Sequence, residues 1–356
     1  MRILYLLNHK TLTDFEVPIL LKDGHEVYLS KNFGSLSSGE NSINHSTSRF
    51  YDNFLSIHVT TLGILDNIDF YSDHYELTKP ELEVINNHFD IIFLTSLTSE
   101  KMLNQLSKSF SGDIFFRFFG LSGEASYKNL LKNIFPSTDF SRFKYIFSYQ
   151  EIIDFETSRS ENLDFFNKDN SFFVPLGLSN SFVCNYLETY RPSNLRMCFV
   201  NSRIDDGPGS YYRNIYIDFL NKFSDIPFVV LGKNNTCVQE KPYILNNLND
   251  NEFYGEFKNS LFMHYHSKEE RHLHYHPLEA LIIGLPVIFY SQSLLKSILP
   301  QSPGMCSSDN EMIQKSNLIL SRSAEGNELI NSIITYQNQN MDKLFIGNNL
   351  DIFSIL

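Results

Sequence analysis

Histidines are concentrated in one stretch of the chain, just before the apolar run Ala280–Ile283. They are His264, His266, His272, His274 and His276. A neutral imidazole offers one hydrogen-bond donor and one acceptor, and it is also the commonest metal ligand in proteins. The residue types therefore fit hydrogen bonding to an anionic or hydroxylated ligand, and they also fit metal binding.

A helix is predicted to follow these histidines. Pro277 suits the first turn of a helix because its missing N–H is not needed there, and this places Glu279 within that turn. Gly284 ends the helix, and Pro286 leads into a buried strand with a β-branched start. The free N–H groups at a helix N-terminus bind anions, so the sequence predicts a phosphate-binding site at this point.

Short apolar runs alternate with amphipathic segments along the rest of the chain. Arg2–Leu7, Asp90–Thr95 and Asp113–Phe119 have the composition of buried strands, and Arg196–Val200 and Pro227–Leu231 repeat the pattern further on. Strands that alternate with helices are typical of parallel sheets. The interruption of an aromatic strand by Arg117 also predicts a partner for its guanidinium.

The length of 356 residues exceeds what one hydrophobic core usually serves. We therefore expect an α/β fold with two Rossmann-like domains that face each other across a cleft. The expected limits are 1–180 for the N-terminal domain, 181–195 for a linker and 196–356 for the C-terminal domain.

Composition argues against several functional classes. Acidic residues outnumber basic ones by 41 to 29, and the formal charge of −12 opposes binding to nucleic acid or anionic lipid. The four cysteines are too far apart for a CxxC motif and too few for a disulfide scaffold. The first apolar segment ends at Asn8, shorter than a signal-peptide core, and no segment reaches membrane-spanning length. We expect a soluble, cytoplasmic protein with at most peripheral membrane contact.

Three passages resemble one known family, in the same order along the chain. Pro277–Ile288 resembles the donor-binding segment of the GT-B fold glycosyltransferases, whose signature reads roughly P-x-E-A-x-x-x-G-x-P-V-I. Asp23–Val27 is similar to the G-H-E-V turn after the first helix of that fold, and Val174–Gly177 is similar to the P-x-G-V segment that ends its N-terminal domain. The resemblance implies transfer of a sugar from a nucleotide-diphosphate donor to a saccharide acceptor, in bacterial surface polysaccharide or glycoconjugate synthesis.

The resemblance also implies roles for residues of the second half. Glu279 matches the glutamate that holds the ribose hydroxyls of the nucleotide, and a carboxylate is a suitable acceptor for a diol. The family supplies cations for the diphosphate from loops at the start of the C-terminal domain, and the matching residues are Arg203, Arg213 and, after the next strand, Lys233. The resemblance implies no permanently bound cofactor and no protein-bound metal, so the nucleotide sugar is purely a substrate.

Two histidines join this group of donor-binding residues. His274 and His276 lie at the start of the predicted helix and are expected to donate hydrogen bonds to the phosphate or the donor sugar. If His272 lies with them on a strand, the alternate spacing places all three on one face, which leaves a metal site as another interpretation.

The catalytic base depends on the stereochemical course. An inverting enzyme needs a base from the N-terminal domain, and the loops at the ends of strands offer His9, Asp14 and Glu124. Retaining members of the family often carry a second glutamate eight residues before the first, and here Arg271 stands at that position. The absence of this glutamate leaves the mechanism open between inversion and retention.

Other interpretations of these residues remain. Glu279 also fits a carboxylate that only stabilises the helix dipole, and Arg203 and Arg213 also fit surface ion pairs. A sugar-nucleotide epimerase or hydrolase shares the expected fold. A non-catalytic nucleotide-binding or glycan-binding module is the third interpretation, and Arg271 is its best support.

Overall fold

The computed structural model describes residues 1–7, 9–29, 63–70, 72, 74–95, 99–118, 120, 126–159, 165–204, 207–232, 243–246, 248–344, 353 and 356. The chain divides into two compact units. The first contains residues 1–179 and 347–356, and the second contains residues 180–346. The domain limits expected from the sequence stay a prediction.

The first unit is built on a parallel sheet of six strands. Its elements are β1 (Arg2–Tyr5), α1 (Lys10–Lys22), β2 (Glu26–Leu29), α2 (Lys79–His88), β3 (Ile91–Leu94), α3 (Glu100–Ser109), β4 (Asp113–Phe118), α4 (Tyr127–Ile134), β5 (Phe143–Phe147), α5 (Gln150–Ser158) and β6 (Ser171–Phe173). The strand order is β2-β1-β3-β4-β5-β6, and every pairing is parallel. The direction of winding changes between β1 and β3, which places the topological switch point of this sheet at their carboxyl ends.

A charged pair lies in the core of the first unit. The side chains of Glu16 on α1 and Arg117 on β4 are fully buried, and Arg117 Nε donates to Glu16 Oε1 at 3.0 Å. The Tyr5 hydroxyl donates to the other carboxylate oxygen at 2.7 Å, and Arg117 Nη2 donates to the carbonyl of Pro175 at 3.3 Å. Glu16 is thus the partner that the sequence required for Arg117. Burial raises the pKa of Glu16 even against the opposing charge of Arg117.

The second unit repeats the architecture on another parallel sheet of six strands. Its elements are α6 (Asn180–Tyr186), β7 (Met197–Val200), α7 (Tyr211–Phe223), β8 (Phe228–Gly232), β9 (Ile244–Asn246), α8 (Asp250–Asn259), β10 (Phe262–Tyr265), α9 (Tyr275–Ile283), β11 (Val287–Tyr290), α10 (Leu295–Ile298), β12 (Met305–Cys306), α11 (Asp309–Leu320), α12 (Ala324–Gln339) and a 3₁₀ turn (Met341–Leu344). The strand order is β12-β11-β10-β7-β8-β9, with parallel pairings throughout. The two sheets confirm the predicted α/β fold.

Helix α9 is a core helix with a glycine stop. Every residue from Pro277 to Ile283 is buried, which explains the uninterrupted apolar run. Gly284 has a φ of 83°, in the left-handed region that glycine adopts without steric cost, and its N–H bonds back to the carbonyls of Ala280 and Leu281. The chain then enters β11 directly. None of the helices in the described part of the chain combines the length and the apolar character that a membrane crossing requires.

Candidate functional site

The switch point of the second sheet lies between β7 and β10. The chain leaves β7 at Val200 and enters α7 at Tyr211, and it leaves β10 through the loop 266–274 into α9. Right-handed crossovers run in opposite directions from these two strands, so α7 and α9 cover opposite faces of the sheet. Ligands of such sheets bind in the crevice between the two loops.

A cluster of four imidazoles, His266, His272, His274 and His276, lies in this crevice. The ring centroids are 4.4 Å apart for His272 and His274, and 5.1 Å apart for His274 and His276. The His266 ring lies 5.4 Å from that of His274 and 6.2 Å from that of His276. We call these residues the histidine cluster. His264 is separate, since it lies on β10 among aromatic side chains.

The strand geometry considered for these histidines is wrong. His272 and His274 lie in the loop, and His276 is the second residue of α9, so the alternate spacing does not reflect a strand. Within the described ranges, no group of three or more His, Cys, Asp or Glu side chains is placed to hold a metal ion.

The histidine cluster is uncharged at neutral pH. Burial, and then the proximity of His272, lowers the pKa of His266 to about 4. Burial and the neighbouring imidazoles lower the pKa of His274 and of His276 well below the ordinary value. Burial also lowers the pKa of His272, against the opposing charge of Glu269. Each ring therefore carries one N–H donor and one acceptor nitrogen.

Several ring nitrogens of the cluster have no solvent contact and no hydrogen-bond partner. They are both nitrogens of His266, Nε2 of His274 and Nε2 of His276. A buried polar atom without a partner destabilises a fold by about 1–3 kcal/mol. These nitrogens therefore point to a ligand that completes their hydrogen bonds.

The hydrogen position on His274 follows from its neighbour Tyr265. The Tyr265 hydroxyl oxygen accepts the backbone N–H of His274 at 3.3 Å and lies 3.2 Å from the ring Nδ1. We assign the hydroxyl hydrogen to Nδ1 and the ring hydrogen of His274 to Nε2. In this assignment His274 holds an N–H donor at the start of α9, where the backbone N–H groups are also directed.

Glu279 is buried on α9 and has a protein partner. Its side chain forms a hydrogen bond with Tyr254 of α8, and the pKa of Tyr254 is raised by burial and then by the charge of Glu279. The Tyr254 ring packs against Phe182 at 5.0 Å and Tyr186 at 4.7 Å, both from α6. The sequence placed Glu279 in the first helical turn, and this is wrong. Because α9 begins at Tyr275, two residues before Pro277, Glu279 lies in the second turn.

Two predicted cationic residues flank the loop after β7. Arg203 has a φ of 56°, unusual for a residue with a side chain, and its guanidinium lies 4.4 Å from the centre of the Tyr212 ring. Arg213 lies in the first turn of α7. The third cation, Lys233, lies outside the described residues. Both arginines thus belong to the β7–α7 side of the crevice.

The candidates for a catalytic base belong to the first unit. His9 is the N-cap of α1, and its Nδ1 accepts the backbone N–H of Leu12 at 3.4 Å. Asp14 is a partly buried residue of α1, and Glu124 lies outside the described residues. Arg271, at the position of the second family glutamate, is 8% exposed. The catalytic roles of His9, Asp14 and Glu124 stay predictions.

Sequence reasoning missed a pocket beside the histidine cluster. It has a volume of about 170 Å³ and is lined by residues of α7, by Tyr290 of β11, by His264 of β10, and by the residues from His266 to Glu269. The lining residues come from one face of a helix, from two neighbouring strands and from part of a loop. Only the tertiary structure brings these segments together.

Comparison with known proteins rests on structure alone. No protein-family model matches the chain, and no curated protein matches its sequence. A glycosyltransferase from Rickettsia africae superimposes with a TM-score of 0.60 at 14% identity, over 97% of this chain and 94% of the other. HepE from Anabaena, in complex with UDP-glucose, gives 0.60 at 13% identity, over 100% of this chain and 97% of the other. BGT of T4 phage, with UDP and Mn²⁺, gives 0.51 at 9% identity, over 97% and 96%. The chain therefore has the GT-B fold.

Proposed function

We propose that the protein is a cytoplasmic glycosyltransferase that transfers a sugar from a nucleotide-diphosphate donor to a saccharide acceptor in bacterial surface polysaccharide or glycoconjugate synthesis. The observation that carries the proposal is the set of buried, unpartnered imidazole nitrogens at the start of α9. They lie at the switch point of a sheet in a chain that shares its fold with HepE, whose complex contains UDP-glucose.

The diphosphate of the donor is assigned to the N-terminus of α9. The backbone N–H groups there, together with an N–H from His274 and from His276, stabilise the negative charge that grows on the leaving phosphate. Arg203, Arg213 and Lys233, which follow β7 and β8 in the sequence, add positive charge. In this proposal these groups neutralise the diphosphate without a protein-bound metal.

The nucleoside is assigned to the side of α9 that faces α8. Glu279 accepts hydrogen bonds from the ribose hydroxyls while Tyr254 holds its carboxylate. The acceptor saccharide is assigned to the N-terminal domain, where His9, Asp14 and Glu124 are the candidates for the base of an inverting reaction. Arg271 in place of the second family glutamate leaves both an inverting and a retaining reaction open.

Calorimetric titration with UDP, GDP, CDP, dTDP and ADP tests the proposal. We expect one of them to bind, and Glu279→Gln to weaken that binding roughly tenfold or more, because a hydrogen bond to a charged group contributes about 1.5–3 kcal/mol. Glutamine preserves the volume of this buried side chain. Glu328→Gln, at an exposed position of α12, is the matched control and leaves the affinity unchanged. Absence of binding by all five nucleotides would refute the proposal.

A non-catalytic binding module is the second candidate, and Arg271 is the observation that favours it. A sugar-nucleotide epimerase or hydrolase is a third. Incubation with the bound nucleotide sugar separates them, because an epimerase converts the donor without any acceptor and a transferase only hydrolyses it slowly. A binding module leaves the donor intact with every acceptor.

A further inference from the structure

The pocket beside the histidine cluster is lined by buried aromatic side chains and by more exposed polar ones. Its volume is about 170 Å³, or about six waters at ~30 Å³ each. The buried lining residues include Phe219, Phe223, His264 and Tyr290. Tyr211, which is 39% exposed, and Asp218 also line the pocket, and both lie on α7. This volume is comparable to that of one sugar ring and is smaller than that of a nucleoside diphosphate.

His266 lies between the pocket and the proposed diphosphate site. This residue lines the pocket, and its ring centroid lies 5.4 Å from that of His274 in the histidine cluster. Neither ring nitrogen of His266 has a hydrogen-bond partner. A group joined to a phosphate at the start of α9 therefore reaches the pocket past a side chain that can donate one hydrogen bond and accept another.

The lysines around the pocket are already neutralised. Lys268 Nζ lies 3.1 Å from Asp309 Oδ1 and 4.2 Å from the centre of the Tyr290 ring. The Tyr290 hydroxyl donates to the same carboxylate oxygen at 2.7 Å. Lys222 lies 3.0 Å from Asp309 and 2.7 Å from Asp218. Neither lysine is left with an unbalanced positive charge for an anionic ligand.

The remaining polar groups favour an uncharged ligand. Glu269 lines the pocket in addition to Asp218, so the carboxylates here outnumber the lysines. Burial, and then the proximity of His266, lowers the pKa of His264 to about 3, and the ring is neutral at physiological pH. Carboxylates and neutral imidazoles accept hydrogen bonds from hydroxyl groups, while they repel or fail to neutralise a negative charge.

We propose that this pocket holds the sugar ring of the donor and selects an uncharged pyranose over a uronic acid or another acidic sugar. The apolar face of the ring packs on Phe219 and Tyr290, and its hydroxyls bond to Asp218, Glu269 and the ring nitrogens of His266. A carboxylate on the sugar meets Asp218 and Glu269 instead. The inference rests on the proposed function, because the nucleotide must first be held at α9.

Matched pairs of nucleotide sugars test the selection. UDP and GDP are titrated first, and then UDP-glucose against UDP-glucuronate, UDP-galactose against UDP-galacturonate, and GDP-mannose against GDP-mannuronate. For the nucleotide that binds, we expect the best hexose form to bind roughly tenfold or more tightly than its hexuronate, because like charges in a binding site oppose association. The Asp218→Lys variant, at a side chain that is 62% exposed, should narrow that difference by raising hexuronate affinity.

Filling the pocket tests its location. Ile215 lines the pocket, and Ile215→Phe should weaken hexose-nucleotide binding roughly tenfold while the free nucleoside diphosphate binds unchanged. Ile217→Phe on the same helix is the matched control, because Ile217 is 46% exposed and does not line the pocket. Circular dichroism verifies that both variants fold. If Ile215→Phe does not fold, Asp218→Lys still tests the assignment of the pocket.

The outcomes separate this inference from the proposed function. Binding of a nucleoside diphosphate, with equal affinities for hexose and hexuronate and no effect of Asp218→Lys, refutes the pocket assignment and leaves the proposed function standing. A nucleoside diphosphate that loses affinity in Ile215→Phe as much as its sugar conjugate also refutes the assignment. If UDP and GDP both fail to bind and CDP, dTDP and ADP fail as well, the proposed function and this inference fall together.

Discussion

Tyr254 and Glu279 form a hydrogen bond between α8 and α9, and we infer that Tyr254 positions the carboxylate for the ribose. Tyr254→Phe removes only the hydroxyl. We expect nucleoside diphosphate affinity to fall several-fold, and the free energy of unfolding to fall by about 1 kcal/mol, the usual contribution of one hydrogen bond. Calorimetry and urea denaturation measure the two effects.

The matched control for this variant is Tyr186→Phe. Tyr186 belongs to the same aromatic group, but its hydroxyl donates to Asn251 at 3.4 Å. This control should leave nucleotide affinity unchanged. If Tyr254→Phe loses stability and keeps its full affinity, Tyr254 has only a structural role.

At the scale of single residues, the sequence predicted which side chains need a hydrogen-bond or ion-pair partner, but it did not predict which residue the partner is. A charged residue inside an aromatic strand required a partner, and Arg117 has one, but Glu16 lies on another element far away in the chain. Likewise, the P-x-E-A pattern identified Glu279, while nothing in it indicated Tyr254. The local sequence pattern shows which buried polar or charged side chains need a hydrogen-bond partner. Tertiary packing decides which side chains become those partners.

At the scale of elements, a clear stop signal in the sequence was enough to predict where a helix ends. Gly284 ends α9 as predicted. The failures have physical reasons. Strand β9 has only three residues, too few to show a period, and the alternate histidines imitated a strand although the chain there forms a loop and a helix start.

The buried histidines make stability depend on pH. The pKa of His264 falls to about 3 and that of His266 to about 4 in the folded chain, and burial is the main cause. The unfolded chain, with a histidine pKa of about 6.5, binds more protons between these values. Their contribution to stability is therefore complete above about pH 6.5 and is lost as the pH falls towards the folded values, by up to roughly 1.4 kcal/mol per pH unit and histidine.

Urea denaturation across this pH range measures the effect. His266→Gln removes one of the titrating groups and should reduce the slope between about pH 6.5 and 4. His74→Gln, at an exposed position, should keep the slope of the unchanged protein. A stability that does not change with pH in this range would contradict the neutral, buried state of these imidazoles.

At the scale of the whole molecule, alternation of strands and helices predicted the α/β architecture, and the solved structures that share it establish the GT-B fold. The end of the chain was harder to place. Residues 347–356 belong to the first unit, and Phe353 is 3% exposed there, with its ring centroid 5.9 Å from that of Phe93 on β3. Phe353 is a single aromatic residue far in sequence from Phe93, so no periodic pattern in the sequence indicates their contact.

The position of Phe353 predicts that the last residues of the chain stabilise the first unit. Phe353→Ala should reduce the free energy of unfolding of that unit by about 3–5 kcal/mol, the usual effect of deleting a buried phenyl ring. Hydrogen exchange followed by mass spectrometry locates the loss, because β3 should then exchange faster while β10 of the second unit keeps its protection. Leu356→Ala, at a half-buried position, is the control and should have a smaller effect on β3. Equal acceleration in β3 and β10 would show that the two units unfold together, and that the contact of Phe353 with Phe93 stabilises more than the first sheet.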